Sequence, residues 1–405
     1  MKKKMPYIIA TVIISIAVLA AFSLIYGFWN KRPEDATLKV GFLYSEDEST
    51  PYTYNFVQGQ YALTEQFGDK VEILTRSNVP AKEAEDPLRD LVWKGCKIIF
   101  INEDTPAAAN ISAEYPDVQF CQISMPDISM EGRSKNYHTF NGEIYQARYA
   151  AGVAAGMKLK HMVDNGIILP EDAQVGYVAA NNSAEVISGY TAFILGIRSV
   201  MPDAVMRVRY TGSWSNYSME KQRARELINE GCVLISQHTN TLAPAIACEE
   251  AFREGRRIYY VGYHQSMVDV APGTTLASIR TNWVPYIVGA TEAVMKNMVI
   301  EEYVPGHLHG NDISAGFEQG WVELLELNKQ VAVEGTEEKI NQLIDAFKKE
   351  KVNVFKGNYI GVSPDNPSDT IDLSLGYKEM SESSSPSFRY ILQECVIEET
   401  GNVTK

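Results

Sequence analysis

Two halves of this 405-residue chain repeat one pattern of strands, helices and glycines, and no other feature restricts the fold as much. A strand-like run at Val40–Tyr44 enters a polar loop and then a helix, and Val175–Ala179 does the same. Further strands around 71–75 and 205–211 correspond. Leu91–Ile101 then matches Leu227–Ser236: a helix closed by a glycine, Gly95 or Gly231, leads at once into an apolar strand. Gly41 and Gly95 are 54 residues apart, Gly176 and Gly231 55. A fourth pair, Val118–Ile123 and Arg257–Gly262, keeps the register. Four matches in order predict two similar lobes, each a parallel sheet with helices on both faces.

Ligands bind beyond the carboxyl ends of parallel strands, so two such edges facing each other across a hinge form a cleft. The helix from Gly142 to about His161, whose Ala147, Ala150, Ala151, Ala154 and Ala155 permit close packing, sits where the chain enters the second lobe. Further crossings are expected near Ser278–Asn282 and His309–Gly320. The resulting division is 1–38 for a tail, anchor and linker, 39–141 with about 283–310 for the first lobe, and 142–282 with about 311–360 for the second. Residues 361–405 form a C-terminal extension packing on the lobes.

Charge narrows the function. With 51 Asp and Glu against 37 Lys and Arg the net charge is -14, and such a surface repels phosphate backbones, which excludes nucleic acid as a partner. Met5–Trp29 holds no charged residue, and as a helix it rises about 37 Å, enough to cross a hydrocarbon core of about 30 Å. It follows Lys2, Lys3 and Lys4 and is longer than a signal-peptide core, so an uncleaved anchor is expected; cleavage near Ala20 or Ala21 is the competing reading. The large domain is then expected outside the cell membrane, held by a single pass. No cysteine precedes Cys96, which leaves no N-terminal lipidation site, and Cys96, Cys121 and Cys232 lie in or beside apolar runs as buried thiols.

Candidate ligand-binding residues come from the loops after the strands. The first lobe offers Tyr52 and Thr53 after the first strand, and Asn102, Glu103 and Asp104 after the third. In the second lobe stand Asn182, then Trp214 in a Gly-Ser-Trp-Ser loop, then His238, Thr239 and Asn240, then His264; Arg280 joins them from the second crossing. Capping of the next helix is the alternative role for the Asn and Thr residues. Aromatic faces combined with amide and hydroxyl groups suit a flat heterocycle. Chemistry is not indicated: the chain lacks a GxSxG elbow, a phosphate-cradling GxxxxGK[ST] loop, HExxH, and GxGxxG after the first strand. His307 and His309 have no third ligand nearby, so neither a metal nor any other cofactor is expected.

Several of these runs, in their order and spacing, resemble the basic membrane protein (BMP) family of solute-binding proteins. They are Val175–Ala180, Glu185–Phe193, Thr211–Trp214, Gln237–Thr239 and Val261–Tyr263, together with Gly142–Tyr149 and Pro386–Leu392. The resemblance covers about Lys39 to Glu398. It implies the type I periplasmic-binding-protein fold, two doubly wound Rossmann-like lobes joined by a three-strand hinge, and a purine nucleoside or nucleobase delivered to the permease and ATPase subunits of an ABC importer. It also implies that Tyr52, seven positions before Gly59, stacks on the base with Thr53 polar beside it, and that Trp214 is the aromatic of the second lobe. The acidic or polar position after the third strand falls among Asn102, Glu103 and Asp104.

This chain departs from the family pattern at two carboxylates: His264 stands where relatives carry Asp, and Asn240 where purine-binding relatives often do. Both exchanges weigh against ribose recognition and toward a free base or another heterocycle. A non-enzymatic, membrane-anchored binder is expected, with a ligand-sensing ectodomain signalling through the same anchor as the alternative.

Overall fold

The computed structural model describes residues 37–124 and 132–399. The anchor assigned to Met5–Trp29 lies outside them, and among the described residues no helix is long and apolar enough to cross a membrane. The first sheet contains β1 (Leu38–Leu43), β2 (Val71–Arg76), β3 (Ile98–Ile101), β4 (Gln119–Ile123) and β5 (Tyr137–Gly142), all parallel, in the order β2-β1-β3-β4-β5. The second contains β6 (Gln174–Ala179), β7 (Val205–Tyr210), β8 (Leu234–His238), β9 (Tyr259–Tyr263) and β10 (Thr275–Thr281) in the equivalent order β7-β6-β8-β9-β10. β3 is buried on both faces, which explains its uninterrupted Ile-Ile-Phe-Ile run, whereas the edge strand β2 is only half-buried.

The repeated glycines have the same physical cause in both lobes. A side chain at Gly41 would meet Ile99 at 3.0 Å and Leu91 at 3.3 Å; at Gly176 it would meet Ile235 at 2.5 Å and Leu227 at 2.9 Å. Only a bare backbone lets the helix before the third strand lie this close to the first strand. Gly95 and Gly231 end those helices at φ of 92° and 98°, in the left-handed region where a Cβ is disfavoured.

Eight helices position the site: α1 (Pro51–Phe67), α2 (Glu85–Trp93), α3 (Pro106–Ser112), α4 (Ile144–Asp164), α5 (Ala184–Arg198), α6 (Tyr217–Asn229), α7 (Ala243–Arg253) and α8 (Val284–Met295). The chain passes between the sheets three times. After β5 it enters α4, which packs along α5 of the second lobe. After β10 it returns to α8, whose Tyr286 stacks on Phe140 of β5 at 3.9 Å, with Trp283 on Phe56 of α1 at 4.6 Å. The third passage joins β12 (Asp312–Ala315) of the first sheet to β13 (Val322–Leu324) of the second; β12 is preceded by the short β11 (His307–Leu308).

Hydrogen bonds hold the three passages side by side. Glu143 N–H donates to the Ala315 carbonyl at 2.9 Å, and Asn282 donates from its backbone to Trp321 at 2.7 Å and from its amide to Gly320 at 3.0 Å. The buried Glu143 carboxylate accepts from Ser314 Oγ at 3.0 Å and pairs with His307 Nδ1 at 2.5 Å. His307 therefore serves the hinge, and among the described residues no group of three or more His, Cys, Asp or Glu could hold a metal ion.

Two assignments need correction. Asp312–Ala315 falls in the span given to the second lobe, yet it pairs in parallel with β5 in the first sheet, because the third passage begins only after Ala315. The C-terminal extension does more than pack on the lobes: β17 (Val396–Glu399) adds to the second sheet beside β7. The rest of the extension includes a small antiparallel sheet of β14 (Ile360–Val362), β15 (Thr370–Asp372) and β16 (Ile391–Leu392).

All five cysteines are buried and unpaired. Burial pushes the thiols up, Cys96 to about 11 and Cys232 to about 12, which suppresses the reactive thiolate. A thiol-reactive chromophore should label less than one cysteine per native chain within minutes and all five after denaturation; prompt labelling of two or more would contradict the burial.

Candidate functional site

The carboxyl ends of both sheets open on one cavity of about 390 Å³ between the lobes. From the first lobe it is lined by Ser45 and Glu46 after β1, Tyr52 on α1, Asn102, Glu103 and Asp104 after β3, and Ile123 at the end of β4. From the second lobe come Glu185 on α5, Ser213, Trp214 and Ser215 after β7, Asn240 after β8, and Tyr263 and His264 at and after the end of β9. The segments after β1, β3, β6 and β8 among them flank the points where strand order reverses, between β1 and β3 and between β6 and β8.

Asn102 ties the first-lobe loops together. Its backbone N–H donates to Leu43 at 3.2 Å, and its Oδ1 accepts from Ser45 N–H at 2.9 Å. Its carbonyl accepts from the Tyr52 hydroxyl at 2.7 Å, so the aromatic ring is pinned at its far end. The ring stands edge-on to Phe56 at 5.5 Å on its own helix and to His264 at 5.4 Å across the cleft. Asn55 also bridges the lobes, donating to the Thr281 carbonyl. The lobes are thus in contact around the cavity.

His264 adopts φ 72°, unusual for a residue with a Cβ, while its N–H donates to Ile279 at 2.8 Å. That backbone turn lays its imidazole on Tyr263 with centroids 3.6 Å apart and brings Nε2 to Asn240 Oδ1 at 3.1 Å. Burial, reinforced by the Arg148 charge, holds its pKa well below the usual histidine range, so the ring is neutral and Nε2–H is the donor. Asn240 is held in turn by its N–H donating to the Trp214 carbonyl at 2.8 Å.

Arg148 of α4 lies fully buried behind the second-lobe wall, its Nη1 donating to Gln237 at 2.7 Å and its guanidinium 3.9 Å over the Tyr263 ring. Beside it His238 meets Tyr263 and Trp214 edge-on, at 5.0 Å and 5.9 Å. Gly189 on α5 admits this packing, since a Cβ there would lie 2.6 Å from His238 Nδ1. Among the described residues four carboxylates line the cavity and no Lys or Arg does. Burial raises Glu103 and Asp104 above the usual carboxylate range, and it pushes Glu185 up to about 7 although the Arg148 charge opposes the shift.

Of the residues singled out from sequence, Tyr52, Asn102, Glu103, Asp104, Trp214, Asn240 and His264 face the cavity. The other five do not. Thr53 follows Tyr52 on a helix and is fully buried, outside the cavity lining. Asn182 is exposed in the loop before α5. His238 is fully buried and supports Trp214 and Tyr263 from behind. Thr239 is buried, accepting from Gln237 Nε2 at its carbonyl and its hydroxyl. Arg280 pairs with Glu323 at 2.7 Å, its register partner on the antiparallel β13, which no local pattern announces.

Ser45, Glu46, Ile123, Glu185, Ser213, Ser215 and Tyr263 line the cavity without having been selected. Three of them, Ser213, Ser215 and Tyr263, are immediate neighbours of a selected residue. Glu185 had a signal of its own: it is a carboxylate in the first turn of the helix that follows the first strand of the second lobe, the position that points a helix N-terminus at the cleft.

Comparison with known proteins agrees with this geometry. Residues 43–354 match the Bmp family model, described as ABC transporter substrate-binding protein PnrA-like. Over 262 residues the chain is 30% identical to a purine-binding protein of Brucella abortus (strain 2308), covering 64% of this chain and 69% of that protein. Over 257 residues it is 26% identical to a protein of Haloferax volcanii named for glucose binding in an ABC transporter, covering 62% and 60%. Among solved structures, an ABC transporter solute-binding protein from Aeropyrum pernix K1 superposes with a TM-score of 0.60 at 15% identity, over 78% of this chain and 87% of that one, a likeness of fold.

Proposed function

The chain belongs to the Bmp family of PnrA-like ABC transporter substrate-binding proteins, and on that premise we propose that its solute is a purine nucleoside, nucleobase or related heterocycle. The family is one of solute binders that serve ABC transporters, not of enzymes. The observation that carries the ligand reading is the convergence of Tyr52 from one lobe with Trp214, Tyr263 and His264 from the other on a single cavity of about 390 Å³. Flat aromatic walls supply stacking, and the polar groups between them read the edge of the ring. The purine-binding relative in Brucella abortus supports the same class.

Binding works by closure in this proposal. A ligand favours the closed arrangement only as far as it touches both lobes together, and the three parallel passages supply the hinge. Met5–Trp29 tethers the domain to the outer face of the cell membrane, where it hands the ligand to the permease and ATPase subunits of an importer. The same tether supports a second reading, a sensor that signals through one membrane helix; co-purification of a permease with the full-length chain favours transport, and its absence favours the sensor.

A thermal-shift screen of the full-length chain in detergent should show a rise in Tm with a purine base or nucleoside, because a ligand at a hundred times its Kd stabilises the native state by about 2.7 kcal/mol. Glucose is the informative control. A rise with glucose and with no purine would replace the heterocycle by a sugar.

A further inference from the structure

The polar atoms around the cavity narrow the ligand further, on the footing that it is a purine. Glu46, Glu103, Asp104 and Glu185 are all acceptors when ionised, and among the described residues neither Lys nor Arg lines the cavity. Arg148 behind the wall already gives Nη1 to the Gln237 carbonyl and its face to Tyr263. A phosphate brought into this cavity would meet like charge on several sides at low dielectric, and Arg148, although its Nε and Nη2 lack partners among the described residues, does not line the cavity to receive it.

Besides Glu46 Oε2 and Ser215 Oγ, which are buried and lack a partner among the described residues, two groups are poised for a ligand. Asn102 is 3% exposed, and its Nδ2 has no hydrogen-bond partner among the described residues while its Oδ1 is engaged by Ser45. Glu185 is carried on the opposite lobe, and among the described residues no hydrogen bond reaches its carboxylate; its nearest ionisable contact is His238 Nε2, 3.8 Å from Oε1. His238 is kept neutral by burial and by Arg148, so it does not neutralise that carboxylate. Of the three carboxylates on the first lobe, Asp104 already receives Gln122 Nε2 at 3.5 Å.

We propose that the cleft selects an unphosphorylated purine carrying an exocyclic amino group, with Glu185 the specificity-determining acceptor of that group's N–H and the Asn102 amide a donor to the ring or its substituents. An amino purine supplies the N–H that Glu185 lacks. Hypoxanthine and inosine, which lack an amino group, place their 6-oxo acceptor there instead and set lone pair against lone pair.

The groups that face Glu185 make the interaction respond to pH. Arg148 on α4 and His238 on β8 lie behind it, Tyr263 and His264 beside it, and Tyr52, Glu46, Glu103 and Asp104 across the cleft. Only the ionised carboxylate accepts fully. With Glu185 near 7 in the ligand-free cleft, affinity for an amino purine rises about tenfold between pH 6 and pH 8, following the ionised fraction.

Titration calorimetry on the full-length chain in detergent tests this with adenine and adenosine, hypoxanthine and inosine, and adenosine monophosphate at pH 6, 7 and 8. We expect the amino purines to bind at least about tenfold more tightly than their oxo counterparts at pH 8, and the monophosphate at least about a hundredfold more weakly than adenosine. Glu185→Gln should bring the amino purines down to the level of the oxo purines and flatten the pH dependence, while Tm without ligand stays within a few degrees and shows that the fold is intact. Equal affinity for amino and oxo purines, or a monophosphate bound as well as adenosine, would overturn the selectivity and leave the purine reading standing. Failure of every purine to bind would overturn both.

Discussion

Trp214→Ala should weaken purine binding by at least roughly tenfold, consistent with the roughly 1 to 3 kcal/mol that an aromatic side chain contributes by stacking on a base. Trp214 is half-buried in the loop after β7, packed on the margin of the second-lobe core and edge-on to His238. The loop does not depend on the indole: the Trp214 carbonyl still accepts from Asn240, and Thr211 Oγ1 still donates to Ser213 at 2.7 Å. Truncation therefore removes a wall of the cavity while leaving the frame, so Tm without ligand should fall by only a few degrees. Calorimetry gives the direct answer, and an affinity unchanged by the substitution would remove Trp214 from the site. Tyr52→Phe makes a milder comparison: it keeps the ring and deletes only the hydroxyl bond to Asn102, so a smaller loss is expected than for Trp214→Ala.

The parts of the fold visible in sequence are those that local physics determines. The strand order repeats because each lobe needs a bare glycine in its first strand and a left-handed glycine before its third, and both demands leave a residue type at a fixed spacing. The aromatic and amide residues of the cleft are visible for a related reason, since they sit directly after strands. Non-local pairing is different. Nothing in Asp312–Ala315 says that it lies beside β5, about 170 residues earlier, and nothing near Arg280 says that Glu323 will neutralise it. His264 was legible as a cleft residue, but its positive φ, which decides where the imidazole points, was not. Glu185 was hidden by its setting, because a carboxylate in the first turn of a helix reads equally well as a dipole partner.

The largest effect on stability should come from a position where propensity and packing disagree in sign. Gly152 on α4 faces Gly196 on α5, Gly156 faces Ile197, and the alanines around them keep that surface flat. A Cβ on Gly152 would lie 2.2 Å from the Phe193 carbonyl oxygen, and one on Gly196 would lie 2.2 Å from that of Tyr149. Both obstacles are backbone atoms, which no change of rotamer can move. Helix propensity alone says that Gly152→Ala stabilises the chain by about 1 kcal/mol. The steric term opposes it and wins, since the two helices must separate along a buried face; overpacking of this kind costs typically about 1 to 3 kcal/mol and occasionally more. We expect Gly152→Val to reach or exceed the upper part of that range and Gly152→Ala to be destabilising as well. Because α4 also carries Arg148, four residues before Gly152, any shift of the helix moves the guanidinium beneath Tyr263, and purine affinity should fall together with stability. Urea unfolding of the two variants decides the matter by its sign: a raised midpoint for Gly152→Ala would mean that α4 and α5 do not approach through these glycines.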